Sequence, residues 1–75
     1  MISTHISSST IETIGFQLGK LFVKFHSGGV YSYTSVPFAY YIGLRDAVSA
    51  GQYLHRYIKK GGYRYSKLDR DPFSA

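Results

Sequence analysis

TIETIGFQLGKLFVKFHSGGVYSYTSV, residues 10–36, is the stretch whose reading decides how this chain folds. β-Branched and aromatic residues alternate with polar ones through three short runs. Thr10–Gln17 is bounded by Gly19, Lys20–His26 by Gly28-Gly29, and Val30–Val36 follows. A period of two interrupted by turn residues is the pattern of antiparallel strands joined by tight hairpins. Gly19 with its neighbours, and Gly28-Gly29, supply the positive-φ positions that such hairpins require. The stretch therefore predicts a three-stranded meander.

Downstream the period changes. Pro37 stands where a helix can begin, because its missing N–H costs nothing in the first turn. Phe38–Ala47 reads as a short helix interrupted by Gly43. A second helix, 50–60, has clearer ends: Ser49 with Gln52 resembles a capping box, and Gly61 is placed as the residue after the last turn. Ala50, Tyr53, Leu54, Tyr57 and Ile58 form one apolar stripe along it, which predicts packing on the sheet. After Gly61-Gly62, Tyr63–Leu68 alternates again and predicts a final short strand. The expected fold is α+β: a small antiparallel sheet of three strands, two short helices packed on one face and a last strand, β-β-β-α-α-β. The Ser/Thr-rich residues 1–8 are expected to be a flexible lead-in, 9–68 the single domain, and 69–75 a flexible tail.

A chain of 75 residues holds one domain, and a domain of this size buries only roughly 60% of its unfolded surface. It has no cysteine, so neither disulfides nor thiolate zinc can supplement the core, and a homo-oligomer is an open alternative. The start MISTHISSS has neither a basic region nor an apolar one, and no run approaches the ~20 apolar residues of a membrane span. The expectation is a cytoplasmic protein of a bacterial cell or a phage-infected host that does not engage a membrane. Nine Lys and Arg against four Asp and Glu give a formal charge of +5. Arg56, Lys59, Lys60, Arg64, Lys67 and Arg70 all lie in the last third. This asymmetry favours a polyanionic partner, beside the plainer reading of a charge that only keeps the protein soluble.

The order of several short elements resembles the KTSC domain: Ile14-Gly15-Phe16, the alternating Leu21, Val23 and Phe25, Val30-Tyr31 with Tyr33, Val36-Pro37, then Ala47, Ser49, Gly51 and Tyr53 leading to Ile58. The family is named after a C-terminal appendage of some lysyl-tRNA synthetases and includes stand-alone bacterial and phage proteins. The resemblance covers roughly residues 9–65. It implies RNA binding, by analogy with the fusion to a tRNA-charging enzyme. His55 departs from the pattern, since the family tends to carry Asn there.

Eight Tyr and five Phe exceed what so small a core buries with ease, so some rings must face outward. Tyr31 and Tyr33 share one face of their strand. An even-length hairpin loop sets them beside Phe22 and Lys24 as a stacking surface. An odd one turns them onto the Leu21, Val23 and Phe25 face, as core residues whose hydroxyls reach the rim. Tyr63-Arg64-Tyr65 repeats the pattern and either extends the platform or forms a charged edge strand. Lys59 and Lys60 also fall in the last helical turn, where cations offset the helix dipole. Ser49 and Gly51 at a helix start suit either a phosphate or an ordinary N-cap. His5, His26 and His55 lack the spacing of metal ligands, and no metal or cofactor is expected.

Nothing pairs a nucleophile with a base or sets two carboxylates against each other, so no enzymatic activity is expected. The leading expectation is a non-catalytic module binding nucleic acid, RNA or a single strand, through Lys24, Tyr31, Tyr33, Arg56, Lys60, Arg64, Tyr65 and Lys67. One alternative is a compact oligomer that sequesters a small nucleotide or nucleotide-derived signalling molecule, as a phage anti-defence protein would. A second is a protein-interaction domain.

Overall fold

The computed structural model describes residues 1–73 as one antiparallel sheet covered on one face by helices. The elements are β1 (Ile2–His5), β2 (Ile11–Gln17), β3 (Lys20–Phe25), β4 (Val30–Tyr33), α1 (Phe38–Asp46), α2 (Ala50–Tyr53, continuing as a π-helix over Leu54–Lys59) and β5 (Tyr65–Lys67). The strands lie in the order β1-β2-β3-β4-β5. The sheet thus has five strands where a meander of three plus a final strand was expected.

The additional strand, β1, comes from the stretch expected to be a lead-in. It pairs antiparallel with β2, Ile2 opposite Phe16 and Thr4 opposite Ile14, while the His5 Nδ1 meets the Thr13 hydroxyl at 3.0 Å. As an edge strand it buries little, so its Ile2, Thr4, Ile6 alternation is diluted by serines and carries a weak hydrophobic signal. The expected tail is also placed in part. Asp71 accepts from the Lys24 ammonium, and Phe73 lies against Gly15 on the sheet face away from the helices. Ser74 and Ala75, the end of that tail, lie outside the described residues.

Leu18 (φ 51°) and Gly19 (φ 77°) both have positive φ between the paired Gln17 and Lys20, the geometry of a two-residue primed turn that continues the strand twist. The next hairpin closes with Gly28 at φ 103°. In β2 the register shifts between Ile11 and Thr13, a bulge at Glu12. Ile11 and Ile14 are three apart and would otherwise point to opposite faces, but the extra residue lets both be fully buried.

The core consists of Ile11, Ile14, Leu21, Val23, Tyr33, Val36, Tyr41, Leu44, Ala50, Leu54 and Ile58. Each fully buried aliphatic side chain contributes roughly 1.5–3 kcal/mol. α1 starts after Pro37 and runs unbroken through Gly43, where an interruption was expected. A Cβ at Gly43 would collide with the Tyr53 hydroxyl, so the glycine serves the approach of α2. Ser49 caps α2, its hydroxyl accepting from the Gln52 N–H at 3.4 Å. Ala50, Leu54 and Ile58 recur every four residues, wider than the 3.6 of an α-helix, and the π-turn keeps all three on the sheet. The wider turn also moves the helix end by one residue. Lys60 donates to the His55 carbonyl, five residues back, and the left-handed position falls on Gly62 (φ 77°) where Gly61 was expected. Among the described residues no helix is long and apolar enough to cross a membrane.

Candidate nucleic-acid interface

The register of β3 on β4 decides the tyrosine face. Leu21 pairs with Tyr33 and Val23 with Tyr31, so both tyrosines point to the helix-covered side. Lys24 pairs with Val30 and points to the back. The connecting loop is therefore the odd one: the Phe25 N–H donates to the Gly29 carbonyl, leaving three residues between them. β5 adds Tyr65 opposite Tyr33 and Lys67 opposite Tyr31, on the same face. Beyond β5 the pairing is extended by Thr34 N–H to Arg64 C=O at 2.9 Å and Leu68 N–H to Val30 C=O at 2.8 Å.

The helices do not cover this side of the sheet completely. α1 packs against β2, and between the end of α2 and β4–β5 a groove of about 420 Å³ is lined by Phe25, Tyr31, Tyr33, Tyr65 and Lys59. Burial grades across it. Tyr33 is 4% exposed and forms the floor, Tyr31 is half-buried, and Tyr65 is 66% exposed at the lip. Phe25 meets Tyr31 edge-on at 5.8 Å, and Tyr65 tilts against Tyr31 at 6.3 Å and Tyr33 at 6.0 Å. Edge-on and tilted contacts leave ring faces turned to the groove. The Lys59 ammonium stands 5.6 Å from the Phe25 ring, within cation–π range. Burial first, then the Tyr31 and Tyr65 phenols, raise the Tyr33 pKa above its ordinary 10.0, so Tyr33 stays a neutral hydrogen-bonding group at the floor.

The eight residues expected to bind ligand separate into four places. Tyr31, Tyr33 and Tyr65 converge in the groove, and Lys67 stands beside it by register. Lys24 lies on the opposite face, engaged by Asp71 and by Glu12 at 3.7 Å, which raises its pKa, the Asp71 hydrogen bond being the larger cause. Arg56 and Lys60 line a separate polar hollow, and Arg64 lies beyond the lip near Thr34. Two groove residues were not among those eight. Lys59 has a sufficient structural role as a dipole-complementing cation, and Phe25 reads as core from its alternation with Leu21 and Val23. The three histidines are apart: His5 on Thr13, His26 with its Nε2 2.8 Å from the Ser8 carbonyl, and His55 in the polar hollow.

A second aromatic group sits between the helices. Tyr53 packs on Gly43 and against Tyr57 at 4.6 Å, Tyr57 stacks with Tyr40 at 6.2 Å, and Tyr63 meets Tyr40 at 6.3 Å. Desolvation is the first cause of raised pKa values at both Tyr53 and Tyr63, followed by the neighbouring Tyr40 phenol.

A five-stranded sheet with one helical layer and a ring-lined groove opening beside a basic helix end defines a small α+β module. The chain belongs to the KTSC family: the KTSC domain matches over residues 7–65. It is similar to the KTSC domain protein of Yersinia pestis, whose crystal structure superposes with a TM-score of 0.79 at 30% identity, covering 89% of this chain and 96% of that one. A lysine–tRNA ligase from Trichormus variabilis is 44% identical over 48 residues, which are 64% of this chain and 8% of the ligase. An uncharacterized protein from Stutzerimonas stutzeri is 32% identical over 66 residues, covering 85% of this chain and 93% of its relative. This chain thus corresponds to a small part of the ligase and to almost all of the other two.

Proposed function

We propose that this protein is a non-catalytic module that binds single-stranded nucleic acid, RNA in the first instance, by stacking a base in the Phe25–Tyr31–Tyr33–Tyr65 groove. The single observation that carries the reading is the groove itself: four aromatic walls, graded from a buried floor to an exposed lip, ending at the Lys59 ammonium. Aromatic faces accept any base, and a cation at the end of the stack meets the phosphate that follows. The charge distribution agrees. Glu12 and Asp71 engage Lys24 on the back face and Asp46 engages Arg45, and among the described residues no carboxylate, Asp69 included, lies within ion-pair distance of Lys59 in the groove or of Lys67 beside it. Kinship with a segment of a lysine–tRNA ligase puts a related domain in an RNA-handling protein.

The chain contains no tryptophan, so its intrinsic fluorescence comes from tyrosine and reports stacking directly. Titration with oligouridylate is expected to quench it, with affinity that grows with strand length and falls with salt, while duplex DNA competes poorly. Binding confined to one mononucleotide, indifferent to strand length, would instead establish a second reading: capture of a small nucleotide or nucleotide-derived molecule. That reading is favoured by the groove's volume, which lies within the range of small-molecule sites.

A further inference from the structure

Lys59 and Lys60 are consecutive, yet the last turn of α2 sends them into different hollows. Lys59 lines the aromatic groove. Lys60 lines a second hollow of about 460 Å³ together with Thr10, Ser49, Gln52, His55 and Arg56. Backbone pairing links a wall of one hollow to a wall of the other. The Thr10 carbonyl accepts from the His26 N–H at 3.0 Å, and its neighbour Ile11 pairs with Phe25, a wall of the groove. Their chemistries are complementary, rings in one and cations, hydroxyls and an amide in the other. Among the described residues no carboxylate lies within ion-pair distance of Arg56 or Lys60. Arg56 and Lys59 lie in the last turn and Lys60 at the C-cap, where cations also offset the exposed helix carbonyls, but only Arg56 and Lys60 line the second hollow together.

We propose that the two hollows form one continuous site whose minimal ligand is a dinucleotide unit of a single strand. One base stacks in the aromatic groove, the backbone crosses the end of α2 between Lys59 and Lys60, and the next phosphate rests on Arg56 and Lys60. This rests on the single-strand reading above and adds to it a path and a unit length. Stacking alone holds one base. A second set of unneutralised cations one step away is what a strand requires to continue.

The test compares 5′-UMP, pUpU and pUpUpU by tyrosine quenching and calorimetry, on the wild-type chain, on Arg56→Gln/Lys60→Gln and on Tyr65→Ala. Both cations are exposed, so their removal leaves the core intact. The expected result is a step of roughly tenfold in affinity between one and two nucleotides. The double variant removes that step, bringing the three affinities together, and lowers the salt slope for pUpUpU by about 0.7. Tyr65→Ala lowers all three affinities together. A step that survives in the double variant overturns the two-hollow site while leaving the single-strand reading standing, whereas wild-type affinities equal for one and three nucleotides overturn both in favour of small-nucleotide capture. Binding of none of the three ligands overturns both.

Discussion

The molecule carries two groups of four aromatic rings, built from opposite materials. Between the helices, Tyr40, Tyr53, Tyr57 and Tyr63 lie against one another, with Tyr53 on Gly43, which has no Cβ to hold it away, and Tyr40 stacked with Tyr57. On the sheet, Phe25, Tyr31, Tyr33 and Tyr65 are spaced by strand register, and the side that a fifth ring would close is occupied by Lys59. The helix group packs mainly on itself, although Tyr57 stays 43% exposed, whereas the sheet group lines an open groove with a cation at its end. On the proposed function the same residue type serves cohesion in one place and recognition in the other, and backbone geometry makes the difference.

The comparison predicts that damage to the first group lowers stability and damage to the second lowers binding. Tyr53→Ala should have the largest effect, on the order of 2 kcal/mol of unfolding free energy with oligonucleotide affinity kept, measured by urea denaturation beside a binding titration. Equal losses in both measurements would erase the distinction. Gly43→Ala pushes a methyl group into Tyr53 and should cost about 1.5 kcal/mol, again without a binding phenotype. Tyr65→Ala is the inverse experiment: the lip ring is largely exposed, so stability should change by less than about 0.5 kcal/mol. Affinity for a single strand should fall roughly tenfold, within the usual worth of one stacked base. Lys59→Gln should have a smaller effect, reducing the salt slope of binding by about 0.7 and affinity a few-fold.

Alkaline titration sharpens the contrast further. Tyr33 and Tyr53 have raised folded-state pKa values, chiefly from burial. A raised pKa stabilises the fold fully below the unfolded value near 10, and that contribution is lost as pH rises through the folded value. Unfolding free energy should therefore decline above about pH 10, and Tyr33→Phe and Tyr53→Phe should each blunt the decline. An alkaline limb unchanged in both variants would place the titrating groups elsewhere.

Much of this architecture was legible beforehand because local signals carried it. The tight turn at Gly19, the period-two runs of β2, β3 and β4, the Ser49 cap and the Ala50, Leu54 and Ile58 part of the apolar stripe follow from residue type and spacing over a few positions, whereas Tyr53 and Tyr57, expected in that stripe, turn to α1 and not to the sheet. Membership of the KTSC family was also readable, since its elements keep their order along the chain. β1 was not, because an edge strand with one paired side needs little hydrophobic content to form. Which cation meets the tyrosines was not readable either. One residue of loop parity decides whether Tyr31 and Tyr33 join Lys24 or Phe25, and glycine-rich loops accept both lengths. The sequence by itself determined four of the five strands, both helices and the presence of an aromatic, basic surface chemistry. Only the tertiary structure decided that Lys59 and not Lys24 stands at the ring groove, because strand register and the π-turn of α2 are set by packing across the whole sheet.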